Sequence, residues 1–228
     1  MSPQQSGLSR SVEDYLKAIY GISEQGLMAS TSAIAESLSV QPASVTGMVK
    51  RMAETGLLEH VPYHGVQLTK PGIRAALKVL RRHRIIETYL CERLGFAWDD
   101  VHEEAERLEH AASDDLVERM AVALEFPSHD PHGAPIPTAG GEIEETDFMT
   151  LADTAPGSQV RIRAVRDEEP DRLRSMEAKG LVPGARLWVE VHQHTPDMVA
   201  VRIESVSSPA HRVRRDLARR IYVVHEEG

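Results

Sequence analysis

The chain has 228 residues, enough for one large domain or two to three small ones, each burying its own core. A single cysteine, Cys91, excludes a disulfide framework and a thiolate zinc ribbon and fits a reducing compartment. No apolar run approaches the roughly 20 residues of a membrane span, and the first residues lack a signal-peptide apolar stretch, so a cytoplasmic protein is expected.

The formal net charge of −9 argues against a general polyanion binder, but the charge is unevenly spread. Residues 1–75 carry six basic and six acidic side chains, 76–140 seven and thirteen, and 141–228 thirteen and sixteen. Only the first segment is neutral, so any contact with nucleic acid phosphates is expected there.

In chain order, Val12, Tyr15, Leu16, Ile19 and Tyr20 follow helical spacing from Ser11 to about Gly26. Ser30, Thr31 and Ser32 are capping candidates before a short helix carrying Ile34, Ala35 and Leu38. Pro42 suits the first position of the next helix, whose inner face is Val45, Met48, Val49 and Met52 and whose stop is Gly56. Two short helices joined by a tight turn read as a helix-turn-helix. The stretch from Leu57 to Thr69 alternates weakly around a glycine-containing turn, the pattern of a β-hairpin that would form a wing. Gln41, Pro42, Ala43, Ser44, Thr46 and Gly47 are then placed to face base edges or phosphates, with Lys50 and Arg51 nearer the backbone. Such small side chains predict reliance on phosphate positioning and DNA shape.

A cap at Thr69 and Pro71 opens a long helix to about Leu94, Asp99 or Asp100 can cap a second, and a third begins near Ser113. The second helix carries His102, Glu106, Glu109 and His110 at offsets of zero, four, seven and eight, an arc of roughly 100° on a helix with 3.6 residues per turn. A core-facing stripe normally holds Leu, Ile or Val; here it holds imidazole and carboxylate. His83 and Glu87, four apart, repeat the pattern on the preceding helix. Oxygen and nitrogen donors without thiolate suit Mn²⁺ or Fe²⁺, although Zn²⁺ would bind more tightly in vitro. Cys91, set among Tyr89, Leu90 and Leu94, reads as a small buried hydrophobe, and His129 and His132 lie in a proline-rich loop and are left out of the donor set.

Prolines 127, 131, 135 and 137 with Gly133, Gly140 and Gly141 predict an ordered turn leading into a linker. Beyond it, 160–165, 187–191 and 199–203 alternate as strands, with a short helix around 172–179 and a turn at 181–184, the signature of a small β-barrel. The expected fold is mainly α with small β. A winged helix-turn-helix spans 1–74, a helical domain 75–140, a linker 141–150 and an SH3-like (FeoA-like) barrel 151–228.

These stretches resemble, in order and spacing, the iron- and manganese-dependent repressors of the diphtheria toxin repressor and manganese transport regulator family. The likeness is carried by 11–20, the helix-turn-helix, Arg82-His83-Arg84, 101–110, the Pro131–Pro137 segment and 172–184. It implies a homodimeric, metal-activated repressor of metal-homeostasis genes that binds double-stranded operator DNA, with no catalytic task, no organic cofactor and no membrane. It also implies a primary metal site of Asp14, Glu106, Glu109 and His110 and an ancillary site of His83, Glu87 and His102. Iron-type members carry Met and Cys where this chain has Asp14 and Glu106, so hard oxygen replaces soft sulfur and Mn²⁺ is favoured over Fe²⁺. Manganese-type members place an acid one turn after that Asp, where this chain has Lys17, which cannot bind a metal. Relatives of the iron type lend two ligands from the SH3-like domain. Alignment puts Glu169, or its neighbour Glu168, in one place and Arg172, which cannot ligate, in the other. Two other readings fit parts of the pattern: a winged-helix regulator with an organic effector, and a di-metal helical-bundle enzyme.

Overall fold

The structure is a computed structural model. It describes residues 8–24, 26–61, 65–144, 148–167, 169–191, 195–204 and 210–226. The chain divides into two compact units, one of residues 1–83 with 137–143 and the other of residues 84–136 with 144–228. Helix α4, Lys70–Leu94, runs through the division.

In the first unit, α1 (Arg10–Glu24), α2 (Thr31–Ser37) and α3 (Pro42–Glu54) pack around Leu16, Ile19, Ile34, Val45, Val49 and Met52. Burying each large aliphatic side chain stabilises the unit by roughly 1.5–3 kcal/mol. Ser30 caps α2, its hydroxyl accepting from the Ala33 amide at 3.1 Å, and Pro42 occupies the first turn of α3. Strands β1 (Leu58–Val61) and β2 (Gly65–Leu68) pair antiparallel with Leu58 opposite Leu68, and β2 also bridges to Ala29. Gly65 has φ 110° and a Cβ there would overlap the Ala29 carbonyl, so only glycine lets the hairpin lie this close to the helices. The expected helix-turn-helix and wing are thus both present, while the hairpin tip at 62–64 lies outside the described residues.

In the second unit, the rest of α4 packs with α5 (Val101–Glu109) and α6 (Asp114–Ala123) through two small cores, Ile85–Val117–Ala121–Leu124–Ile136 and Ile86–Leu90–Val101–Ala105. Ser113 caps α6 through the Leu116 amide. Six strands follow: β3 (Met149–Thr150), β4 (Gln159–Val165), β5 (Arg186–Val189), β6 (Met198–Ile203), β7 (His211–Arg214) and β8 (Ile221–His225). They form one antiparallel sheet of order β3-β8-β4-β5-β6-β7. Helix α7 (Pro170–Ala178) and the short α8 (Arg215–Ala218) pack on it over a core led by Leu151, Ile162, Leu173, Met176, Leu181 and Leu187. Three of the strands, β4, β5 and β6, are those expected from alternation. Strands β3, β7 and β8 add to them, because His211–Arg214 reads as a basic run and Ile221–His225 as a mostly apolar one.

Candidate metal centre and nucleic-acid interface

On α3, Val45, Val49 and Met52 face the core, and every residue expected to meet DNA, from Gln41 to Gly47 with Lys50 and Arg51, lies on the exposed side. The Thr46 hydroxyl donates back to the Pro42 carbonyl at 3.2 Å, so it braces the first turn as well as facing outward.

Asp14 lies half-buried on α1 of this unit, and His83 is buried on α4. Their sequence neighbours Glu13 and Arg82 form a sheltered ion pair at 3.3 Å, which ties the α1 turn bearing Asp14 to the α4 turn bearing His83. In the second unit α5 presents its donors as two pairs. His102 sits with Nδ1 3.1 Å from Glu87 Oε1 and Nε2 3.7 Å from Glu106 Oε1. One turn on, Glu109 is fully buried, with Oε1 3.3 Å from His110 Nε2. A carboxylate removed from water is stable as an anion only beside a cation or strong donors, so a buried Glu–His pair is suited to hold a divalent ion. The pairing also shows that Glu106 leans toward His102.

A third group was set aside in the sequence. Glu87, Asp130 and His132 each offer a ligand atom within 4.8 Å of the others. His132 Nε2 lies 2.8 Å from the Trp98 carbonyl, which only accepts, so that nitrogen carries the proton. The other ring nitrogen, Nδ1, faces Glu87 Oε2 at 4.0 Å. A carbonyl holding the far ring nitrogen is the usual support of a ligating histidine, and it leaves Nδ1, beside the Glu87 carboxylate, as the atom that would ligate. Asp130 is the weaker member. One of its oxygens accepts from the His132 and Ala134 amides at 2.9 and 3.0 Å, and the other pairs with Arg84 at 3.4 Å. Burial, then the neighbouring Glu87, push its carboxyl up from the ordinary range, against the pull of Arg84 and His132. Its work is to close the turn and fasten it to α4.

His129 accepts from Arg163 at 2.8 Å and meets Ser128 at the other nitrogen, and burial followed by Arg163 lowers its pKa. Cys91 is half-buried, its thiol pushed up to about 12 by burial and then by Glu87, Asp130 and Glu92. Glu169 is an exposed residue at the start of α7, and among the described residues it joins none of the donor groups. Arg172 pairs with Asp167 at 2.8 Å, and Glu168 lies outside the described residues. No periodic signal marks His132 in the sequence, because it lies between Pro131 and Gly133 in a turn.

A winged helix-turn-helix, an α-helical stripe of carboxylate and imidazole and an antiparallel SH3-like barrel together define a metal-binding DNA-binding regulator. The comparisons agree with that class. Residues 7–66 match the iron dependent repressor N-terminal DNA-binding domain, 69–138 its metal-binding and dimerisation domain, and 149–225 the FeoA domain. The iron-dependent repressor IdeR of Mycobacterium tuberculosis is 33% identical over 190 residues, covering 78% of this chain and 83% of that protein. A solved manganese-dependent transcriptional repressor in complex with manganese is 36% identical with a TM-score of 0.87, covering 94% of this chain and 100% of the other. The manganese regulator SloR is 32% identical with a TM-score of 0.79, covering 94% and 98%. The chain belongs to the iron-dependent repressor family, a family of transcriptional regulators and not of enzymes. Among the described residues no helix is long and apolar enough to cross a membrane.

Proposed function

We propose that this chain is a cytoplasmic, homodimeric repressor that binds operator DNA when Mn²⁺ is bound, with Fe²⁺ a weaker co-repressor. The observation that carries the metal choice is a donor set of carboxylate and imidazole alone, with Glu106 where iron-type relatives have cysteine. Asp14, Glu106, Glu109 and His110 form the primary set in this reading, and His83, Glu87 and His102 the ancillary one. His132 joins Glu87, which the approach of its Nδ1 to that carboxylate and the Trp98 carbonyl on its far nitrogen support. The three-domain division of the sequence, at about residues 74 and 140–150, goes with this reading.

Dimerisation is supported by the apolar side chains that α6 and its exit leave exposed, Leu116, Val122 and Phe126 at 44%, 56% and 64%. Asp14 lies on α1 beside the helix-turn-helix, far in sequence from the other primary ligands. Metal therefore favours the DNA-competent arrangement only to the extent that it binds that arrangement better, and the recognition helices of a dimer then meet successive major grooves.

The test is binding to the chain's own promoter DNA across titrations of Mn²⁺, Fe²⁺ and Zn²⁺, repeated with Glu106→Cys. The expected result is activation by Mn²⁺ at lower concentration than Fe²⁺ in the wild type, and a shift toward Fe²⁺ in the variant. No shift would refute the ligand-softness argument. No metal dependence at all would favour an organic effector.

A further inference from the structure

The SH3-like domain grips the turn that carries His132. The His132 carbonyl accepts from the Val165 amide at the end of β4 at 2.8 Å, so the turn continues the sheet by one bond. Gly133 has φ 83°, and a Cβ there would overlap the Arg163 carbonyl oxygen of the same strand. From the helical side, Trp98 packs against the SH3-like core while its ring stacks on His132, with centroids 5.4 Å apart and planes 29° from parallel. The next residue, Asp99, is 5% exposed and accepts from Arg174 of α7 at 2.8 Å.

Each of these contacts ends on His132, on its stacking partner Trp98, or on the residue that follows one of them, Gly133 or Asp99, and none of them supplies a metal donor from the SH3-like domain. Where an imidazole nitrogen points depends on the ring and on the backbone that carries it, and here both are held. The Trp98 carbonyl and ring fix the plane, and the Val165 and Gly133 contacts fix the backbone beneath it.

We propose that the SH3-like domain acts on the Glu87–His132 pair by clamping it instead of ligating it, with Trp98 and Arg174 as positioning residues that hold His132 Nδ1 toward Glu87. The proposal rests on the reading that this pair holds Mn²⁺. It departs from the expectation that Glu169 of this domain supplies a ligand. Clamping and metal binding are then reciprocal: whatever loosens the clasp weakens the ion, and the ion tightens the clasp by the same factor.

The full-length chain separates the two. Mn²⁺ binding is followed by calorimetry in the wild type, Arg174→Glu, Arg174→Lys, Trp98→Leu and Glu169→Ala, with hydrogen exchange at the Val165 amide as a reading independent of metal. Arg174→Glu sets a like charge against Asp99 at a half-exposed position, and Trp98→Leu removes the stack, so neither depends on the other's folding. The expected result is faster Val165 exchange and a roughly tenfold weaker second Mn²⁺ event in both, the size typical of lost support around a ligating histidine. Arg174→Lys restores most of the affinity, and Glu169→Ala leaves it within about twofold. Unchanged affinity in both loosened variants, or a larger loss in Glu169→Ala, overturns the clamp. A wild-type chain with a single Mn²⁺ event overturns the reading of the Glu87–His132 pair itself, and the clamp with it.

Discussion

Helix α5 and the turn at 128–136 both deliver histidine to the metal region, and they do so by opposite means. On α5 the donors are set by helical period, and the backbone under them is an ordinary helix from Val101 to Glu109. In the turn no period exists. His132 is placed by an Asp130 side chain that gathers two amides, by Arg84 donating to the Pro135 carbonyl, and by a glycine at positive φ pressed against the neighbouring strand. The helix therefore yields gradually to change, since each residue adds a small local term, whereas the turn rests on a few contacts that must hold together.

The sharpest way to break that comparison is Gly133→Ala, which adds a methyl where the Arg163 carbonyl stands and strains a left-handed residue. A loss of about 3 kcal/mol is expected from overpacking and strain together, read as a lower thermal midpoint with Val165 exchange raised most. Its counterpart is Ala105→Gly on α5. There the expected loss is only about 1 kcal/mol from helix propensity, plus a small amount from the vacated core, with the His102 and Glu109 pairs still able to bind Mn²⁺ in calorimetry. Equal losses at the two positions would erase the distinction.

The smallest effect sits on Cys91, between the two regions. Its thiol, pushed up to about 12, should resist alkylation in the folded chain at pH 8 and react on unfolding. Because the folded pKa lies above the unfolded one of about 9, the neutral thiol favours the folded state below pH 9, and that contribution is lost as pH rises through 9 toward 12. Alkylation of the native chain as fast as of the unfolded one would contradict the burial.

The same contrast explains what could be read before the structure. The α5 stripe was legible because polar donors at helical spacing break the apolar pattern a buried face requires. The exposed side of α3 was legible from its complement, Val45, Val49 and Met52. His132 was not, since a histidine between Pro131 and Gly133 carries no periodic signal, and the carbonyl that orients it belongs to Trp98, 34 residues away. Nor was the lean of Glu106 toward His102, because offsets place side chains on a face but leave their rotamers free. The docking of Trp98 against the barrel likewise needed the three-dimensional arrangement, the indole appearing in sequence as one more apolar residue before a cap.

The central claim is that the carboxylate–imidazole stripe of α5, with Glu109 buried in it, makes DNA binding conditional on a divalent ion. Its most direct test is fluorescence anisotropy of labelled promoter DNA against Mn²⁺, with the wild type and Glu109→Gln compared at one ionic strength. Saturable binding that appears only with Mn²⁺, and requires at least about a hundredfold more of it in Glu109→Gln, equivalent to about 2.8 kcal/mol, is the predicted result. Equal binding with and without Mn²⁺, or an unchanged Mn²⁺ requirement in the variant, would contradict it.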